Sequence, residues 1–160
     1  MTKTIGFFSF SIFILLFLNG CNSTNTNVDI FEFKDSYVGD NSAVGTIISQ
    51  LPNGEDLKDF ELKTKEEPYG MILNYEEIEA EEIEKKYRET AIYNATFIFT
   101  LVQNAEWVRF NFEHQDYQLS RENVQSWYGE ELRAYSSEDE LRKLTEEYLA
   151  DADKVNDLLK

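Results

Sequence analysis

The stretch "ATFIFTLVQNAEWVRFNFEHQDYQLS", residues 95–120, changes its hydrophobic period in the middle, and that change decides the fold. Before it, Ile83, Tyr87, Ala91, Ala95, Ile98, Val102 and Ala105 recur every three to four residues, the spacing of one helical face. A long amphipathic helix is therefore expected from Glu79 onward. Its first half is charged, with acids in the opening turns that suit the positive end of the helix dipole. Its second half, "ATFIFTLVQNA", is apolar nearly all round and has to be buried. After Glu106 the period falls to two. Val108, Phe110 and Phe112 share one face of a strand, a turn follows near Glu113 to Asp116, and Tyr117 and Leu119 mark the returning strand of a hairpin.

Working toward the N-terminus, "PYGMILNYE" (68–76) alternates Tyr69, Met71, Leu73 and Tyr75 on one face, and "DFELKT" (59–64) sets Phe60 and Leu62 on one side of a short strand. In "YVGDNSAVGTIISQLP" (37–52), Asp40, Asn41 or Ser42 can cap a helix whose apolar positions are Val44, Ile47, Ile48 and Leu51. Pro52 and the turn Asn53-Gly54 end it. Toward the C-terminus, Ser120 can cap "RENVQSWY", which stops at Gly129. Ser137 and Glu140 form a capping box, and Leu141, Leu144, Tyr148, Val155 and Leu158 run down one stripe to the end of the chain. Two strands, a long helix and two more strands make an α+β domain. The expected sheet is mainly antiparallel, of about four strands, with a long central helix and flanking N- and C-terminal helices. No internal repeat appears.

Composition narrows the function classes. The 160 residues carry 31 acidic side chains against 15 Lys and Arg, a formal net charge of −16. Nucleic-acid binding rests on clustered Lys and Arg, and the longest basic run is Lys85-Lys86, so no nucleic-acid partner is expected. Disorder is equally disfavoured, because twelve Phe, nine Tyr and two Trp supply enough apolar area for a packed core.

The single cysteine, Cys21, sits between a greasy run and the polar tract Asn22 to Asn27. Lys3 precedes the run, and Ile5 to Leu18 is apolar apart from Gly6, Ser9 and Ser11. A bilayer span needs about 20 such residues, so the run reads as a signal-peptide core. Leu18-Asn19-Gly20-Cys21 resembles the bacterial lipoprotein box, in which a leucine three places ahead and a small residue directly ahead precede the lipidated Cys. That resemblance implies acylation of the Cys21 thiol and cleavage between Gly20 and Cys21. Residues 1–20 are then a lipoprotein signal peptide, 21–30 the lipidated Cys with a polar spacer, and 31–160 a single α+β domain. The rival readings are an uncleaved anchor helix and a plain secreted protein. Two acyl chains hold a protein stably at a bilayer where one does not. The domain's partner is therefore expected to be the membrane, through its N-terminal lipid, with the protein on the outer side of the cell membrane.

Catalytic motifs are scarce. His114, the only histidine, falls in the hairpin turn, where nothing orients or shields it. No G-x-S-x-G, H-E-x-x-H or GK[ST] sequence occurs. "EEIEAEEIEKK" (76–86) reads as a solvated helix face with Glu81–Lys85 and Glu82–Lys86 pairs. "DADKVND" (151–157) begins like a calcium loop but has Asn156 where glycine is required. No catalytic, cofactor-binding or metal-ligating residue is assigned, and no cofactor is expected. The candidate interaction surface consists of Tyr37, Asp40, Asn41, Trp127 and Tyr128. Their rings either plug the ends of the core or line a groove for a partner peptide or glycan.

Taken together, "YVGDNSAVGTIISQLP", "PYGMILNYE", "FIFTLVQNAEWVRFNF" and "YQLSRENVQSWYGEEL" resemble the bacterial domain of unknown function 4825 family, over roughly residues 33 to 133. Its members look like small lipoproteins, and a similar domain is appended to some antirepressor-type membrane metallopeptidase sensors. This chain has no H-E-x-x-H, so the resemblance transfers no peptidase activity and no catalytic residues. The expectation is an extracytoplasmic lipoprotein acting as a binding or sensing module toward a cell-envelope protein or wall component. Two alternatives stand beside it: a carboxylate-based cell-envelope enzyme, and a structural or chaperone-like lipoprotein that docks through its C-terminal stripe.

Overall fold

A computed structural model describes residues 28–78 and 80–159. The expected signal peptide, Gly20, Cys21 and the expected spacer through residue 27 lie outside the described residues. The order of elements is α1 (Asn41–Gln50), β1 (Leu57–Lys63), β2 (Gly70–Tyr75), α2 (Ile83–Leu101), β3 (Trp107–Asn111), β4 (Asp116–Ser120), α3 (Arg121–Tyr128), α4 (Glu138–Leu149) and α5 (Ala152–Leu158). A 3₁₀ turn at Ile30–Phe33, capped by Asp29, opens the described part, and Ile30 is already buried. Residue 30, read as spacer from the sequence, therefore belongs to the fold.

The four strands form one sheet in the order β1-β2-β3-β4. β1 and β2 pair antiparallel, as do β3 and β4, but β2 and β3 pair parallel. The sheet is mixed, which corrects the mainly antiparallel expectation. The cause is the connection. α2 has 19 residues and at 1.5 Å per residue spans roughly 28 Å, enough to carry the chain back to the end where β2 began. A neighbouring strand entered from that end must run parallel.

α2 begins at Ile83 and ends at Leu101, inside the limits set by the sequence period. Val102 and Ala105 keep the helical spacing and are buried, yet they lie in the connection to β3, where Ser36 forms a parallel bridge with Val102. Because Glu81 and Glu82 precede the first turn, the expected i,i+4 pairs do not form; Lys85 instead meets Glu82 at 3.3 Å. The caps at Asp40, Ser120 and Ser137 are where the sequence puts them. Gly129 ends α3 at φ 70°, a left-handed backbone that glycine adopts without steric cost. The C-terminal stripe is broken into two helices, because Asp151 accepts hydrogen bonds from the backbone N–H of Asp153 and Lys154 and starts α5 afresh. That role also accounts for the "DADKVND" acid at 151.

One face of the sheet carries the core. Its rows are Leu62–Met71–Val108–Leu119 and Phe60–Leu73–Phe110–Tyr117. Met71, Leu73, Val108 and Phe110 have no exposed surface, and they join Ala91, Ala95 and Ile98 of α2 and Val44, Ile47 and Ile48 of α1 in one cluster. At one end of this layer Phe112 stacks on Tyr87 (4.3 Å) and Tyr75 (5.0 Å). No described helix is long and apolar enough to cross a membrane.

Candidate functional site: the open face of the sheet

The alternate residues of the same strands form the other face, and they line up in three transverse rows. The first is Lys63–Gly70–Trp107–Ser120, the second Glu61–Ile72–Arg109–Gln118, the third Asp59–Asn74–Asn111–Asp116. All but Gly70 are half-buried or exposed. Period-two alternation thus gives the sheet one apolar and one polar side.

The polar side is ordered by its own hydrogen bonds. Asn74 Nδ2 donates to Asp59 Oδ1, and Asn111 Nδ2 donates to Asn74 Oδ1 at 2.8 Å. Arg109 Nε donates to Asn111 Oδ1 at 3.1 Å and Arg109 Nη2 to Asp116 Oδ2 at 2.8 Å. One chain of planar groups therefore crosses all four strands, each amide oriented by its neighbour. Lys63 pairs with Glu61 at 2.5 Å and Arg109 with Asp116 at 2.8 Å. The charges on this face are thereby matched except for Asp59, in a chain whose net charge is −16.

Trp107 sits flat on this face. A Cβ built on Gly70 would lie 2.3 Å from both indole Cδ2 and Cε2. Those atoms form the interior ring-fusion bond, which a point outside the ring reaches equally only from the ring's face. The indole therefore covers Gly70, and only glycine fits beneath it. Its Nε1–H donates to the Pro68 carbonyl at 2.9 Å, fixing the ring's rotation. Next to Trp107, Glu67, Pro68, Tyr69, Asn104 and Glu106 line a shallow hollow of about 480 Å³.

Arg121 holds this end of the sheet to α2. Its guanidinium donates to the carbonyls of Phe99 (2.5 Å), Val102 (2.8 Å) and Ala105 (2.9 Å), around the negative end of the helix. It also lies 5.3 Å over the Phe99 ring. Burial lowers its pKa from the ordinary arginine value, with Glu106 opposing the shift. Sequence reasoning saw Arg121 only as the first residue after a cap. Arg109, Asn111, Asn74 and Gln118 carry no motif in the sequence, and the signal that could have found them is their position one residue out of step with the apolar set on the same strands.

The residues singled out from the sequence lie elsewhere. Tyr37 is 56% exposed, in the turn beside the Ser36–Val102 bridge. Asp40 accepts from Ala43 N–H at 3.0 Å as the cap of α1, and Asn41 is that helix's first residue. Tyr128 is 4% exposed, with its hydroxyl 3.1 Å from that of Thr96 on α2, and burial raises its phenol pKa. Trp127 donates to the Lys154 carbonyl at 2.9 Å and meets Tyr148 edge-on at 4.9 Å. Its partners and those of Tyr128 belong to α2, α4 and α5, so the two aromatic rings hold the C-terminal helices down, and no hydrogen bond joins them to Tyr37, Asp40 or Asn41. His114 is exposed beside Glu113. Among the described residues no Asp or Glu is buried, and no group of three or more His, Cys, Asp or Glu converges as a metal would need.

A family model described as Domain of unknown function (DUF4825) matches residues 30–125, from the opening 3₁₀ turn through β4 into α3. The match takes in the whole sheet and both of its faces. No curated protein and no solved structure matches the chain.

Proposed function

The chain belongs to the family described as Domain of unknown function (DUF4825), and from that premise we propose that it is a lipid-anchored binding or sensing module working outside the cytoplasmic membrane. The anchor rests on Leu18-Asn19-Gly20-Cys21, the apolar run before it and the polar tract after it. Acylation at Cys21 would place the domain at the outer leaflet of the cell membrane, with signal cleavage after Gly20. The spacer suits an acidic domain, which an anionic membrane surface repels.

The observation that carries the binding role is the open face of the sheet. Three rows of side chains, half-buried or exposed apart from Gly70 and with every charge but that of Asp59 paired within the face, form this surface. The enzyme alternative needs a carboxylate held away from water, and none of the described acids is buried. The docking-stripe alternative needs a free stripe, but Leu141 and Val155 are buried and Tyr148 packs on Trp127 and Tyr128.

Metabolic labelling with a fatty-acid probe tests the anchor. The native chain should take up label and fractionate with membranes, and Cys21→Ser should do neither. Equal labelling of the two chains, with both recovered from the cytosol, would remove the proposal.

A further inference from the structure

We propose that the open face of the sheet is a platform for a neutral glycan, whose pyranose ring stacks on Trp107 while its hydroxyls bond the amides and guanidinium beyond it. This deepens the binding role above and rests on it. Three observations on the face point to that chemistry.

The first is the indole. With one face pressed on Gly70 and Nε1–H fixed to Pro68, Trp107 presents its other face outward from a half-buried position. A rigid ring held parallel to a sheet suits a flat, amphipathic partner, which gains contact area without ordering a side chain. The apolar C–H face of a pyranose is such a partner.

The second is the hydrogen-bonding inventory. Asn74, Asn111 and Arg109 are planar groups oriented by their neighbours, and each keeps donor or acceptor positions that the chain of bonds does not use. Gln118, beside Arg109 in the middle row, is exposed with its whole amide free. Vicinal hydroxyls, which donate and accept at short fixed spacing, match such a row.

The third is charge. The face holds Asp59, Glu61 and Asp116 against Lys63 and Arg109, and two of the three acids are ion-paired within it. A protein partner for a chain of net charge −16 would be expected to be basic and to meet unpaired acids. This face offers charges matched in all but Asp59, which complements an uncharged ligand.

The test uses the full-length chain in detergent micelles, with Trp127→Phe introduced so that Trp107 is the only indole. The probes are chitohexaose and cellohexaose, two neutral β-1,4-linked hexasaccharides. At least one should shift the Trp107 emission and saturate with a dissociation constant at or below about 1 mM. Raising the salt from about 0.05 to about 0.5 M should leave the constant unchanged, since no ion pair is screened. In the unmodified chain, calorimetry should show binding weakened at least about tenfold by Trp107→Ala. Gln118→Ala, which removes no bond within the protein, should weaken it about threefold at an unchanged urea midpoint.

No saturation by either sugar, binding indifferent to both substitutions, or emission shifts produced instead by a Lys-rich peptide or by self-association would each overturn the proposal. Fatty-acid labelling separates the two levels. Label on Cys21 without sugar binding removes the glycan and leaves the anchored module; sugar binding without label does the reverse.

Discussion

The two faces of the sheet are built from the same strands, residue by residue, and they differ in almost every physical respect. On the helix side, Met71, Leu73, Val108 and Phe110 are fully buried and packed against α1 and α2. On the other side, Asn74, Arg109 and Asn111 are half-buried and held by hydrogen bonds to one another, and Trp107, also half-buried, is held by its bond to the Pro68 carbonyl. A core side chain contributes through area removed from water and the cavity its loss would leave. An outer side chain contributes little in that way, because water competes for its bonds. Stability should therefore be concentrated on one face, and the other left available for binding.

The largest break in that comparison is Phe110→Ala. The ring is fully buried in the row Phe60–Leu73–Phe110–Tyr117, and its truncation should cost about 3–5 kcal/mol, read as a drop in urea midpoint. Asn111→Ala, one residue along and on the other face, should cost no more than about 1 kcal/mol. Equal losses at the two positions would mean that the outer face is packed as well.

Arg121 and Arg109 repeat the contrast with one residue type. Arg121 donates to the carbonyls of Phe99, Val102 and Ala105, while Arg109 lies on the open face. Arg121→Ala leaves those carbonyls at the end of α2 without their donor and should cost about 2–3 kcal/mol. Arg121→Lys should recover only part of that, since an ammonium cannot fork across three carbonyls. Thermal melts of the two variants decide the matter.

Alkaline pH probes the inner face through Tyr75. Tyr75 is 6% exposed, and burial pushes its phenol from 10.0 up to about 12, with Asp56 adding to the rise and the Asn94 hydrogen bond opposing it. A folded pKa above the unfolded one gives stability that is fully present below about pH 10 and lost as pH climbs toward 12. The loss attributable to Tyr75 should be about 2 kcal/mol. Urea midpoints across pH 9 to 12 should fall steeply for the native chain and less steeply for Tyr75→Phe.

Much of this contrast was legible in the sequence, and what was not had a physical reason. The alternation at Met71, Leu73 and Tyr75, and at Val108, Phe110 and Phe112, marks the buried face because burial selects side chains one by one. The caps at Asp40, Ser120 and Ser137 were legible because each acts within three residues. Strand pairing is not local in that sense. Nothing in "PYGMILNYE" says which strand lies beside it, and the parallel β2–β3 register followed only from α2 returning the chain. The break before Ala152 was hidden because Tyr148, Val155 and Leu158 continue the stripe across it, and Asp151 reads in the sequence as the start of a failed calcium loop. The open face was missed for the same reason as the pairing. Asn74, Asn111 and Asp116 are 37 and 5 residues apart in sequence, and only the register makes them one row. Trp127 and Tyr128 drew attention as adjacent aromatics, whereas their packing depends on α4 and α5, which the sequence could not orient.

The smallest expected effect sharpens the comparison most. Arg109 and Asp116 form a 2.8 Å ion pair on the open face, with both side chains about half exposed. In water such a pair is screened and its side chains are costly to order, so a double-mutant cycle over Arg109→Ala and Asp116→Ala should give a coupling of about 0.2–1 kcal/mol. About 0.5 M salt should shrink it further. A coupling above about 2 kcal/mol, or one indifferent to salt, would mean that the face is shielded in the folded protein, and the sheet would then have two interiors in place of one interior and one binding surface.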